Sequence, residues 1–179
     1  MTISRDDLHP NDWNYDYLPQ VTPMLDPYDC DFDQVIVNKI VLWKINRYPI
    51  IDDAILKDLN VIRKSDESIM PGAVKTILLK LLNCYGIKLP MASTILRFKN
   101  LTLFQIIDQR VYRLIYGKKL KLPGFYNSTN CEKLADLYIQ YLKDLRAKCD
   151  ELDIPFEKAD RILWMADKRI NKDKPLDNY

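Results

Sequence analysis

The fold and function expected for this chain depend mainly on residues 83–111, NCYGIKLPMASTILRFKNLTLFQIIDQRV. This stretch contains a short turn around Gly86, an apolar segment that opens at Pro90, and a single acid, Asp108, ahead of a basic segment. A turn that joins two helices presents successive backbone N–H groups and a helix N-terminus, which together attract phosphate. Glycine in such a turn lets another backbone approach closely. The stretch therefore predicts a hairpin that can bind phosphate, followed by one carboxylate.

The rest of the chain has helical spacing of its apolar residues. The predicted helices cover residues 32–47, 52–63, 72–83, 90–98, 109–116 and 131–152, and a last helix starts at Pro155. Thr129 and Glu132 have the spacing of a capping box at the start of the long helix. Trp43 and Trp164 are predicted to be core residues, because large aromatic side chains are usually buried. We therefore expect an all-α fold with seven or eight helices and no strand.

The domain organisation predicted from composition is simple. Residues 1–31 are rich in Pro, Asp and aromatic residues, which predicts an irregular arm packed on the body by Trp13, Tyr15 and Tyr17. The alternative for this arm is an aromatic segment that stacks on DNA. Residues 32–170 are predicted to form a single helical domain, and residues 171–179 a flexible tail.

Charge and cysteine content exclude several classes of function. The formal net charge of +2 does not by itself indicate nucleic acid. The segment from Arg110 to Lys121 carries five basic residues and no acid, which suits either a solvated face or a phosphate-binding face. Four cysteines without a CxxC pair, together with one histidine, argue against zinc. No nucleotide-binding glycine loop is present, so no cofactor is expected.

The expected location is the cytoplasm. No apolar run in the sequence reaches the length needed to span a membrane, and the polar N-terminus does not have the pattern of a signal peptide. The cysteine spacing does not suggest a disulfide framework, which fits a reducing compartment.

The order of parts in residues 79–114 resembles the core of the helix-hairpin-helix DNA glycosylases. In that family a turn similar to Leu-Pro-Gly-Val-Gly-x-Lys-Thr-Ala precedes a helix and then Val-Asp-Thr-His-Val. Gly86 and Ile87 correspond to the first Gly and the Val, and Asp108 corresponds to the family's aspartate. Two positions depart from the pattern: Lys88 replaces the second Gly, and Pro90 stands where the family has its lysine. The resemblance implies a helical bundle of the glycosylase type, in full or reduced form.

The resemblance also implies a function, which is removal of a base from DNA in base excision repair. Asp108 is then the catalytic residue, because a carboxylate beside the sugar stabilises the positive charge that develops there and can orient water. With Pro90 in place of the lysine, the lyase reaction of the family is excluded at that position, and a monofunctional hydrolase is expected. The expected partner is DNA, and the predicted DNA-binding residues are Tyr85, Gly86, Ile87, Lys88, Pro90, Ser93, Arg110, Arg113 and Arg47.

Other interpretations fit the same residues. Asp108 is also a suitable N-cap for the helix 109–116, and the two roles are compatible. Arg110 and Arg113 can flank DNA or pair with acids. The chain can also be a non-catalytic DNA-binding or protein-interaction module on a glycosylase-like scaffold. A further alternative is a helical subunit with a protein partner on the helix 131–152, which an exposed apolar stripe there would favour.

Overall fold

The computed structural model describes residues 18–45 and 48–176. This part of the chain contains eight α-helices, one 3-10 helix and no strand, which confirms the all-α prediction. The α-helices are α1 (Thr22–Leu25), α2 (Gln34–Lys44), α3 (Asp53–Val61), α4 (Pro71–Leu82), α5 (Leu89–Lys99), α6 (Gln109–Tyr116), α7 (Ser128–Leu152) and α8 (Ala159–Ile170). The 3-10 helix is Phe156–Lys158 and directly precedes α8.

The chain divides into two compact units, Met1–Tyr48 and Pro49–Tyr179. The described part of the first unit contains α1 and α2. The Asp33 carboxylate accepts a hydrogen bond of 2.8 Å from the N–H of Ile36, so α2 begins later than the predicted residue 32. The half-buried indole of Trp43 donates a hydrogen bond of 2.9 Å to the Thr22 hydroxyl, which joins the two helices.

The core of the second unit forms where α4 packs on α7. Both helices repeat apolar residues at three- and four-residue steps, so each buries one continuous stripe. The buried members are Val74, Ile77, Leu78, Leu81 and Leu82 on α4, and Cys131, Leu134, Ala135, Tyr138, Tyr141, Leu145 and Cys149 on α7. The apolar stripe of α7 therefore faces the core of its own unit. A protein partner on this helix was expected only if that stripe were exposed.

Two tyrosines of α7 hold the segment that leads to Asp108. The hydroxyl of Tyr138 donates to the carbonyl of Gln105 at 2.9 Å, and the hydroxyl of Tyr141 donates to the carbonyl of Ile106 at 2.8 Å. This segment has no helical hydrogen bonds of its own, so its carbonyls need such partners when buried. The long helix thereby fixes the position of the residues just before α6.

The capping box predicted at Thr129 and Glu132 is wrong. The Asn127 side chain accepts a hydrogen bond of 2.8 Å from the N–H of Asn130, and α7 begins at Ser128. Because the helix starts two residues earlier than a Thr129 cap allows, Thr129 and Glu132 lie inside it. Glu132 instead forms an ion pair of 2.8 Å with Lys75 of α4.

Candidate functional site

An open pocket of about 390 Å³ lies between α8 and the segment that precedes α6. It is entirely within the second unit. Its walls are Ile106, Asp108, Asp160, Arg161, Trp164 and Met165. No residue of the hairpin is among these six. Two carboxylates, one guanidinium and one indole therefore surround a mainly apolar space, a combination typical of ligand sites.

Asp108 is the N-cap of α6 and also lines the pocket, while its catalytic role stays a prediction. Its Oδ1 accepts a hydrogen bond of 2.8 Å from the N–H of Val111, so it is the N-cap of α6. The residue is half-buried and also lines the pocket. Next to it, the buried backbone N–H of Ile107 donates to the Ser93 hydroxyl at 3.2 Å, which ties this segment to α5. The helix cap thus sets the orientation of a carboxylate at the pocket wall.

The electrostatic surroundings raise the pKa of the Asp108 carboxyl above its ordinary value. Burial is the main cause, since a charged carboxylate loses hydration there. The backbone N–H groups at the start of α6 oppose this shift, and the nearby Asp160 adds to it. Asp108 is therefore a stronger base than an exposed aspartate.

Sequence reasoning missed Asp160, the second carboxylate of the pocket. It is only 4% exposed and forms an ion pair with the equally buried Arg97, with 3.4 Å between Nε and Oδ2. Neither of these two atoms has a hydrogen-bond partner, although Asp160 Oδ1 accepts the N–H of Arg161 at 2.7 Å. A signal was present: Arg97 lies one turn after Ser93 on the apolar face of α5, and a charge on such a face requires a buried partner.

The prediction that Trp164 belongs to the core is wrong. Its side chain is 36% exposed and lines the pocket. The buried face of α8 follows Ala159, Leu163 and Asp167 at four-residue steps, and Trp164 lies one position beyond that face. The guanidinium of Arg110 lies 5.6 Å from the centre of the indole, and the ammonium of Lys168 lies 4.6 Å from it. The indole is thus a surface aromatic in contact with two cations.

Arg110 and Arg113 share one buried acid, Asp167 of α8, which has no exposed surface. Arg113 binds both carboxylate oxygens, at 2.5 Å and 2.6 Å, and Arg110 binds one at 3.1 Å. Burial alone raises the pKa of Asp167, but hydrogen bonds from the two arginines and Asn171 lower it below its ordinary value. Of the two roles predicted for these arginines, the structure shows pairing with an acid. Their contact with DNA stays a prediction.

The hairpin between α4 and α5 has the predicted turn at Gly86, whose φ of 78° is in the left-handed region. Two of its polar groups contact Tyr126, in the loop before α7. The first backbone N–H of α5, at Leu89, donates to the Tyr126 hydroxyl at 3.3 Å. The ammonium of Lys88 lies 5.8 Å from the centre of the Tyr126 ring. Tyr126 therefore occupies the position that a phosphate oxygen takes at an open helix N-terminus.

The other predicted DNA-binding residues lie in several environments. Ile87 is buried and Tyr85 is exposed. Ser93 has no exposed surface, and its hydroxyl donates to the carbonyl of the half-buried Pro90 at 2.8 Å. The Ser93 hydroxyl is therefore used inside the unit, away from the surface a phosphate can reach. Arg47 lies outside the described residues.

Residues 18–45 and 48–176 contain no group of three acidic, cysteine or histidine side chains placed to hold a metal ion. No helix in this part of the chain has the length and apolar character needed to cross a membrane. No protein-family model, no curated protein and no solved structure matches this chain.

Proposed function

We propose that this chain is a DNA glycosylase-like protein on a helix-hairpin-helix scaffold, which hydrolyses the N-glycosidic bond of a base in DNA. The observation that carries the proposal is the position of Asp108. Its carboxylate is half-buried, has a raised pKa, is oriented by the first turn of α6, and lines an open pocket with an exposed indole. Perturbed carboxyl groups in such pockets are candidates for catalysis.

The chemistry of the reaction fits this arrangement. As the bond between the base and C1′ of the sugar lengthens, positive charge develops on the sugar ring, and a carboxylate beside the ring stabilises it. Water then adds to C1′, one of its protons is taken up by the site, and the base leaves with its bonding electron pair. Asp108, with its raised pKa, is suited to accept that proton.

The pocket is suited to a nucleotide that has left the base stack. Its volume of about 390 Å³ is within the range of small-molecule sites. The partly exposed indole of Trp164 at the pocket wall can give a base an aromatic contact. None of the six lining residues is a lysine, and residue 90 is a proline. Both facts support water, rather than an amine of the protein, as the nucleophile.

The test compares Asp108→Asn with Asp108→Ala. Asparagine caps a helix as well as aspartate does, so Asp108→Asn keeps the start of α6 while it removes the charge. We expect base release to fall roughly 100- to 1000-fold in Asp108→Asn, with a nearly unchanged free energy of unfolding. Asp108→Ala is expected to lose the same activity and also about 1 kcal/mol of stability, because the cap is lost.

The measurement is single-turnover release of free base from duplexes that carry deaminated, alkylated or oxidised bases, followed by mass spectrometry. In the wild-type protein the rate should rise with pH through the raised pKa of Asp108, because the ionised form is the active one. A wild-type rate that Asp108→Asn leaves unchanged contradicts the catalytic role. The absence of release from every duplex favours the second candidate.

That second candidate is a non-catalytic DNA-binding module on the same scaffold. One observation favours it: Asp108 Oδ1 is already used as a helix cap. Binding to a duplex with an uncleavable abasic-site analogue separates the candidates. Preference for the analogue over plain duplex supports a lesion pocket and the enzyme. Equal binding to both supports the module.

A further inference from the structure

We infer that the phosphate backbone of the bound nucleic acid is held by a basic ridge on α8, and not by the hairpin. The basic ridge consists of Arg161, Trp164 and Lys168, with Arg110 of α6 beside it. The inference takes DNA as the partner from the proposed function and adds the surface that binds it. That surface differs from the one the sequence resemblance implies.

The members of the basic ridge share one face of the helix. Arg161, Trp164 and Lys168 follow one another at steps of three and four residues, which places them in a row along α8. All three are exposed. Arg161 and Trp164 line the pocket, and the Lys168 ammonium lies 4.6 Å from the Trp164 ring. The row therefore begins at the pocket and continues away from it.

The charge exposed along residues 159–176 is strongly one-sided. The five basic residues of this segment are all exposed: Arg161, Lys168, Arg169, Lys172 and Lys174. Two of its three acids, Asp160 and Asp167, are buried in ion pairs with Arg97 and with the arginines of α6. Only Asp173 adds an exposed negative charge to the segment. Burial of the acids turns a segment of modest net charge into a positive surface, which attracts a polyanion.

The helix that carries the basic ridge is joined to α6 through Asp167. The Asp167 carboxylate binds Arg113 through both oxygens and Arg110 through one, and Arg113 donates to the carbonyl of Lys174 at 3.2 Å. Since one carboxylate neutralises only one of the two guanidinium groups, positive charge remains at this junction. The Arg110 guanidinium lies beside the indole, 5.6 Å from its centre. Cations grouped around an exposed aromatic ring are typical of surfaces that bind nucleic-acid strands.

The hairpin lacks these properties. The Leu89 N–H is bonded to Tyr126, Ile87 is buried, and Lys88 is the only basic residue from 83 to 90. A phosphate that reached the Leu89 N–H would have to displace the Tyr126 hydroxyl. The hairpin thus offers one exposed cation, Lys88, whereas the basic ridge groups several cations beside the pocket.

The test measures the salt dependence of binding to a short duplex that carries an uncleavable abasic-site analogue. The full-length chain is compared with the double variant Arg161→Gln/Lys168→Gln, with Lys88→Gln in the hairpin, and with Lys143→Gln, an exposed lysine of α7. Each lost phosphate contact reduces the slope of log K against log salt by about 0.9. We expect the double variant to lose a slope of about 1.8, and the other two variants to match wild type. Circular dichroism verifies that all of the variants are folded.

An unchanged slope in the double variant, or a loss of slope in Lys88→Gln, overturns the inference. Equal losses in Lys143→Gln also overturn it, because they indicate unspecific attraction. The outcome is separate from that of the proposed function: a protein that binds through the basic ridge but releases no base refutes the enzyme and keeps the ridge. Base release with an unaffected double variant refutes the ridge and keeps the enzyme. If the protein binds neither the duplex with the abasic-site analogue nor plain duplex, the enzyme and the ridge are both refuted.

Discussion

The hairpin and the α6–α8 junction differ in how the tertiary structure uses them. The hairpin carries the sequence resemblance, yet its first helical N–H is bonded to Tyr126 and Ser93 is buried. The α6–α8 junction, where Asp167 binds Arg110 and Arg113, adjoins the open pocket. Trp164, which the sequence analysis placed in the core, is exposed there beside basic side chains. A matching order of residues can indicate which groups lie near a site, whereas packing determines which of them reach solvent.

The largest expected effect is at Asp167, whose removal tests whether the α6–α8 junction is a rigid part of the molecule. Asp167→Ala leaves two arginine side chains without their buried partner and should reduce the free energy of unfolding by about 3–5 kcal/mol. The matched control is Asp58→Ala, which removes the exposed partner of Lys80. That control should cost at most about 1 kcal/mol. Urea unfolding measures both, and equal effects in the two variants contradict the structural role of Asp167.

The next largest expected effect is a difference in stability between variants of Leu163 and Trp164, which are neighbours on α8. Leu163 is buried and Trp164 is 36% exposed. Leu163→Ala should reduce stability by about 2–5 kcal/mol, because it leaves a cavity in the core. Trp164→Leu should cost less, about 1 kcal/mol, because Trp164 is partly exposed and leucine keeps an apolar side chain there. If thermal or urea unfolding shows a larger loss for Trp164→Leu, the indole belongs to the core after all.

A smaller effect is expected at the hairpin, where Tyr126→Phe removes the acceptor of the Leu89 N–H. The loss of this hydrogen bond should reduce the free energy of unfolding by about 1 kcal/mol. Tyr126→Leu also removes the ring beside Lys88 and should cost more. DNA binding should not change in Tyr126→Phe if the basic ridge holds the backbone. A clear gain in affinity would show instead that the tyrosine competes with phosphate for the hairpin.

The smallest effect is a difference in pH dependence between Asp108 and Asp167. The pKa of Asp167 is lowered in the folded state. Its contribution to the free energy of unfolding is therefore present above the ordinary aspartate pKa and is lost as pH falls through the pKa of the folded state. The pKa of Asp108 is raised in the folded state. Its contribution to the free energy of unfolding is therefore present at low pH and is lost as pH rises through the pKa of the folded state. Urea unfolding of Asp167→Asn and Asp108→Asn across acidic pH should therefore show opposite trends relative to wild type. If the stabilities of the two variants change in the same direction with pH, one of the two pKa shifts is contradicted.

The sequence predicted the helices from α2 to α8 and several of their ends, whereas α1 lies in residues 1–31, which were expected to be irregular. Apolar spacing predicted α4 to within one residue at each end and α6 with its observed bounds, because this signal acts within a few residues of the chain. Asp108 was recognised as a helix cap for the same reason, since the capping hydrogen bond joins residues three positions apart.

The pairing and exposure of the side chains around Asp108 depend on contacts that exist only in the folded protein. Asp160 and Arg97 meet across 63 residues of chain, and Asp167 meets Arg113 across 54, so no local pattern pairs them. The exposure of Trp164 depends on which face of α8 packs on α6. The hydrogen bond from the Leu89 N–H to Tyr126 depends on the path of the loop before α7. Local hydrogen bonds and apolar spacing specify helices, whereas burial, ion pairing and access to solvent arise from contacts between residues distant in sequence.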